Sequence, residues 1–287
     1  MMETYNENGI KERLARHGFK FSKSMGQNFL VDPGVPEKIA RLSGIDKSFA
    51  VLEVGPGIGP LTAELCKAAE RVVAVELDRS LLPILEETLA GYDNVEIVTG
   101  DILKLDIKAL AAEKMAGYRR AVCANLPYNI TTPALTALIG AGVFETITVM
   151  MQREVAQRVC AAAGSSDYGA ITVFVNYHAK PEILFDVRPE CFVPRPRVVS
   201  SVVKLNMRPA PLLPEREEAM FFRVVKASFA QRRKTLVNAL HASFGYKLTK
   251  DDITAVISDC GYNPMVRGET LDIQGFMRVA AALGSRL

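Results

Sequence analysis

The chain has 287 residues, 49% of them hydrophobic, which is enough to bury a full core and suits one large domain with a smaller one. No run approaches the roughly 18 consecutive apolar residues of a membrane span, and "MMETYNENGIKERLARHG" has no hydrophobic signal core, so a cytoplasmic protein with no membrane partner is expected. Net charge is only +3, and the five cysteines are scattered without a CxxC pair, so neither disulfides nor a metal site are expected.

In chain order, "AVLEVG", "RVVAVEL", "VEIVTGD", "RAVCANL", "TITVMM", "ITVFVNYHA" and "VVSSVVKLNM" read as strands between residues 50 and 207, with amphipathic helices such as "LTAELCKAA" and "LLPILEETLA" among them. Strands alternating with helices predict an α/β, Rossmann-like domain with a mostly parallel sheet. Pro209, Pro211 and Pro214 then mark a linker. Beyond it, "EAMFFRVVKASFAQRRKTLVNALHASFG" and "TKDDITAVISDCG" have helical spacing, so the expected division is a catalytic domain over 1–208 and a small all-helical domain over 209–287. Between Arg223 and Lys250 this second part carries seven basic residues and no acid. Such a run is either a solvated helix face or a nucleic-acid contact.

The stretch "VLEVGPGIGPLTAEL" reads as a strand, a glycine turn and a helix, the opening of a nucleotide-binding fold. Glu76 closes the next strand, 21 residues after Gly55, where an acid can hold a ribose diol, and Asp101 closes the third strand at the same edge. A dinucleotide needs backbone N–H groups facing its pyrophosphate, yet Pro56 and Pro60 lack that donor. S-adenosylmethionine has no phosphate, so a glycine turn with Glu76 and Asp101 suits it better than NAD.

The fourth strand ends in "NLPYNIT". Leu126, preceding a proline, is pushed towards extended backbone, and Pro127 fixes φ near about −65°, which makes the corner stiff. It can present the Asn125 side-chain oxygen and a main-chain carbonyl as two fixed acceptors, with Tyr128 as a flat wall. Two acceptors on the N–H groups of an adenine amine would turn its lone pair towards a methyl donor, so catalysis would be mostly positioning. Alone, the same residues also describe an Asn-capped turn with a core tyrosine; Glu76 and Asp101 at the same edge favour the site.

Together "GQNFLVD", "LEVGPGIGPLT", "VELD", "GDIL", "NLPYNIT", "CFVPRPRVVSSVV" and "FAQRRKTLVNAL" resemble the small-subunit ribosomal RNA adenine dimethyltransferases, the KsgA/RsmA group, from about residue 20 to the C-terminus. The resemblance implies transfer of two methyl groups from S-adenosylmethionine to each of two adjacent adenosines near the 3′ end of the small-subunit RNA. The small ribosomal subunit would be the partner and the enzyme a monomer. It implies cofactor contacts from Asn28, Leu30, Gly55, Glu76 and Asp101, with Gln27, Glu53, Gly57, Leu77, Ile102 and Asn125 beside them. Asn125 would hold the target amine near the methyl donor, within a catalytic corner of Asn125, Leu126, Pro127 and Tyr128.

Phe192 is either a second stacking face for the flipped adenine or a core phenylalanine beside a proline loop. Arg195 and Arg197 are expected phosphate contacts, and Arg232, Arg233 and Lys234, on a predicted helix, are expected to meet RNA. Three other readings compete: a large-subunit adenine methyltransferase conferring antibiotic resistance, a non-catalytic RNA-binding assembly factor on the same fold, and a nicotinamide dehydrogenase.

Overall fold

The computed structural model describes residues 7–19, 21 and 26–287; part of the N-terminal stretch read for a signal core, residues 1–6, lies outside them. In chain order the elements begin α1 (Glu7–Arg16), β1 (Phe29–Leu30), α2 (Gly34–Ser43), β2 (Phe49–Val54), α3 (Pro60–Ala68), β3 (Arg71–Glu76), α4 (Leu82–Leu89) and β4 (Val95–Thr99). They continue α5 (Ile107–Lys114), β5 (Arg119–Asn125), α6 (Thr131–Gly140), β6 (Thr146–Gln152), α7 (Arg153–Val159), α8 (Ala170–His178) and β7 (Ala179–Val187). The last are β8 (Phe192–Val193), β9 (Ser200–Met207), α9 (Glu215–Ala230), α10 (Leu236–Phe244), α11 (Lys250–Asp259) and α12 (Ile273–Gly284).

The chain divides into two compact units, residues 1–156 with 182–207 and residues 157–181 with 208–287. The expected cut at the proline linker is therefore one of three crossings, and the second unit includes an internal segment that a single cut at residue 208 misassigns.

The first unit holds a seven-stranded sheet in the order β4-β3-β2-β5-β6-β9-β7. β2 to β6 pair in parallel and β9 runs antiparallel to β6. All six residues of β2 are buried, as a central strand covered on both faces requires. Chain order reverses between β2 and β5, and open α/β sheets bind ligands at the carboxyl ends of the strands beside such a switch. α3 starts with Pro60 in its first turn, where a backbone N–H would have no helical partner. The antiparallel pair β1–β8 sets Leu30 opposite Phe192, and α1 buries Ile10 and Leu14 against Phe29, Ile58, Leu81 and Ile84.

The second unit is helical. Val173 and Tyr177 of α8 share its core with Phe221, Phe244 and Phe276, and side chains of Thr235, Thr249 and Asp272 cap α10, α11 and α12.

One expected strand is a helix: "ITVFVNYHA" is α8, and the strand follows it as β7. Val173, Val175, Tyr177 and Ala179 are buried while Phe174, Asn176 and His178 between them are less so, which mimics strand spacing. A helix apolar on most sides has no clear 3.6-residue period, and its β-branched residues suggest sheet. Packing in the helical core outweighs that preference.

Candidate active site

At the carboxyl ends of β2, β3, β4 and β5 lies a cleft with about 1010 Å³ of atom-free space, counted out to the open solvent at its mouth. Gln27, Asn28, Leu30, Glu53, Gly55, Gly57, Glu76, Leu77, Asp101, Ile102 and Asn125 all line it, with Leu126, Pro127 and Tyr128. The structure thus brings together every residue expected at the cofactor. Leu30, Ile102 and Leu126 are buried, while Leu77 is exposed.

The glycine turn follows β2. Gly55 and Gly57 have φ of 67° and 63°, a left-handed conformation that glycine adopts without strain. A Cβ on Gly57 would also come within 3.1 Å of the Phe29 ring. Glu76, only 5% exposed, accepts from Gly57 N–H at 3.2 Å and from Asp78 N–H at 2.8 Å. A carboxylate has about four lone-pair sites, so Glu76 still has capacity for a hydroxyl. Burial pushes the Glu76 carboxyl above its ordinary range, against the main-chain N–H groups of Asp78, Gly57 and Leu77. Asp78 accepts from Gln27 Nε2 at 2.7 Å, tying the segment before β1 to the end of β3. Burial opposes ionisation of Asp78, but bonds from Ser80 and Gln27 outweigh it and hold the carboxyl below its usual value.

Glu53 is 1% exposed, and its Oε2 has no hydrogen-bond partner among the described residues. Burial, opposed by the Thr62 hydroxyl and reinforced by the nearby charge of Glu76, pushes its pKa up to about 8. A buried, unpartnered carboxyl oxygen on a cleft wall suits a cationic ligand group. Asp101 accepts from Leu103 N–H at 3.0 Å and lies 3.5 Å from Lys104 Nζ.

The other wall is the corner after β5. Asn125 Nδ2 donates to the Asn28 carbonyl at 3.4 Å, and Oδ1, with no partner among the described residues, is the end left to accept. Leu126 N–H donates to the Met150 carbonyl at 3.1 Å, pinning the corner to β6. The Pro127 carbonyl accepts from Ile130 N–H and Thr131 Oγ1, and the Tyr128 carbonyl from Thr131 Oγ1. No described donor reaches the Leu126 carbonyl, so it is the main-chain acceptor left beside Asn125 Oδ1. The Tyr128 hydroxyl lies 2.6 Å from Ser200 Oγ.

The chain as a whole has known counterparts. The profile of the ribosomal RNA adenine dimethylase family matches residues 18–274. The chain belongs to this family. As a dimethylase it is 46% identical over 278 residues to the ribosomal RNA small subunit methyltransferase A of Lachnoclostridium phytofermentans, covering 96% of each chain. It is also 46% identical to the protein of that name from Shouchella clausii, covering 96% of this chain and 93% of the relative. Among solved structures, a dimethyladenosine transferase from Plasmodium falciparum superposes with a TM-score of 0.78 at 24% identity, over 90% of this chain and 98% of the other. The 23S rRNA methyltransferase ErmE does so at 0.69 and 26%, over 89% and 99%. This dimethylase is a methyltransferase with the expected Rossmann-like sheet, and among the described residues no helix is long and apolar enough to cross a membrane.

Not every expected site residue of the dimethylase reaches the cleft. Phe192 is 0% exposed, sits in the hydrophobic core and does not line the cavity, so of its two readings the structure supports the core one. Arg195 and Arg197 are exposed in the loop between β8 and β9. Arg232, Arg233 and Lys234 lie in a turn between α9 and α10, not on a helix, because Thr235 caps the start of α10. Arg232 Nη2 is committed within the second unit, 2.9 and 3.1 Å from the carbonyls of Ser166 and Tyr168 and 3.3 Å from Glu269. The side chains of Arg233 and Lys234 are exposed and make no bond among the described residues. Sequence reasoning missed Asp78 and Ser200. Asp78 was within reach, two residues after Glu76 in "VELD"; nothing local singles out Ser200 from Ser201.

Proposed function

We propose that the chain transfers methyl groups from S-adenosylmethionine to the exocyclic amines of two adjacent adenosines near the 3′ end of small-subunit ribosomal RNA, giving N6,N6-dimethyladenosines. The observation that carries this reading is the acceptor pair at the β5 corner. Among the described residues, Asn125 Oδ1 and the Leu126 carbonyl are acceptors left unengaged there, and an adenine amine has two N–H groups to satisfy. The relatives named small subunit methyltransferase A, at 46% identity, support the small-subunit target over the large-subunit one.

The cleft residues fit the cofactor: Glu53 for its ammonium end, Glu76 for its ribose diol, Asp101 for its adenine, and the glycine turn for close main-chain approach. When bound, S-adenosylmethionine supplies an electrophilic methyl group on a sulfonium. Asn125 and the Leu126 carbonyl accept the amine hydrogens and orient the nitrogen lone pair, while Tyr128 covers one face of the base. The nitrogen becomes acidic only as the new bond forms, so its proton can leave after the transfer and no strong base is needed beforehand. The rate gain is then chiefly positional, a term that reaches about 7–11 kcal/mol in favourable cases.

The test is to incubate labelled S-adenosylmethionine with small subunits lacking the modification and to map the labelled bases. Dimethylation of two adjacent adenosines near the 3′ end is expected. Label confined to large subunits offered alongside would favour the resistance-type activity, and no transfer to either would favour a non-catalytic assembly role.

A further inference from the structure

Tyr128 is held at both ends. Its carbonyl accepts from Thr131 Oγ1 at 3.4 Å, and its hydroxyl meets Ser200 Oγ at 2.6 Å. Ser200 is 0% exposed. It opens β9 and pairs in register with Gln152 at the end of β6, the strand to which Leu126 N–H is also tied. The acceptor corner and the anchor of the aromatic ring are therefore both tied to β6. A ring fixed only at its main chain can rock about its side-chain torsions, whereas one fixed at its tip cannot.

We propose that Ser200 is a positioning residue for methyl transfer: its hydroxyl sets the tilt of the Tyr128 ring, and thereby the plane in which the target adenine presents its amine to Asn125. The inference rests on the reading of Tyr128 as the wall against that base. A stacked base takes the tilt of the surface beneath it, and displacing a reacting atom by about 1 Å can cost on the order of a hundredfold in rate. The Tyr128 phenol is held neutral, since burial raises its pKa, and either hydroxyl can donate.

The experiment is a double-mutant cycle on single-turnover methylation of unmodified small subunits at saturating S-adenosylmethionine. Ser200→Ala and Tyr128→Phe remove the same bond from opposite ends. Each is expected to slow transfer by about 5- to 10-fold, the range one buried hydrogen bond carries. The double variant should be no slower than either single one, and S-adenosylmethionine affinity, measured by calorimetry, should stay within about twofold. A wild-type rate in Tyr128→Phe, or single effects that multiply in the double variant, would overturn the inference. Because Tyr128→Phe leaves Ser200 in place, a folding defect in Ser200→Ala cannot hide the result. Tyr128→Ala separates the two claims: if it too transfers at the wild-type rate, the wall reading itself is wrong. If it is slow while Tyr128→Phe is fast, only the role of Ser200 falls.

Discussion

The cleft and the basic turn at residues 231–235 differ in where their polar groups are engaged. At the cleft the held side chains still leave acceptors open: Asn125 is fixed through Nδ2 and Glu76 by main-chain donors. In the turn, neighbours of the same charge divide. Among the described residues Arg232 is used inside its own unit, whereas Arg233 and Lys234 are not. A run of like residues is therefore no guide to which of them meets a ligand. The hydrogen-bond partners of each side chain are.

The hardest blow to the cleft side of this contrast is Asn125→Ala. Loss of a fixed acceptor used during reaction should cut transfer by about 10²–10³-fold, or about 3–4 kcal/mol, with cofactor affinity largely kept. Single-turnover rates beside calorimetric titrations check it, and near wild-type turnover would remove Asn125 from its role.

Glu53 comes next. Its folded pKa of about 8 lies above the ordinary 4.5 of the unfolded chain. Between these values the native state holds a proton that the unfolded state releases, so stability falls as pH rises through that window. Glu53→Gln has no such proton. Without cofactor it should match the wild type near pH 4.5 and be more stable by on the order of 5 kcal/mol above pH 8. Urea unfolding at the two pH values tests this; a pH-independent difference would mean that Glu53 does not titrate there.

Glu76→Ala should weaken S-adenosylmethionine by about 1–3 kcal/mol through lost hydrogen bonds to the diol, while NAD binds poorly to both proteins. Tight, saturable NAD binding to the wild type would overturn the cofactor assignment.

The smallest effects sharpen the turn itself. Arg232→Ala should lower the thermal midpoint by a few degrees, for a loss of about 1 kcal/mol, and leave the salt dependence of RNA binding unchanged. Replacing Arg233 and Lys234 together by Ala should do the reverse, reducing the slope of log affinity against log salt by about 0.7 for each phosphate no longer neutralised. If Arg232 alone carries the salt dependence, the division of the turn is wrong.

The cleft was legible because its parts sit at strand ends. The runs "VLEVG", "RVVAVE" and "RAVCAN" are continuous and apolar, so Gly55, Glu76 and Asn125 fall where such runs stop. Partners brought in from distant strands were not legible. Ser200 lies 72 residues from Tyr128, and Arg232 finds its carbonyls 64 and 66 residues away. Phe192 has the residue type for stacking, but pairing of β8 with β1 puts it in the core. The units were half legible. Prolines mark the crossing at residue 208, but nothing in the composition of α8 announces that Val173 and Tyr177 pack with Phe221.

The order of the sheet bears on how the protein is made. β9 lies between β6 and β7, yet both of these leave the ribosome before it. Throughout synthesis of the chain from Arg153 to Val199, at about 5–20 residues per second, the outer edge of β6 awaits the strand that will cover it. Such an edge invites pairing with other chains, so a nascent chain paused in this interval is the form most in need of a chaperone. The residue that first closes the gap is Ser200, paired with Gln152. No fragment that stops short of it can anchor the ring of Tyr128.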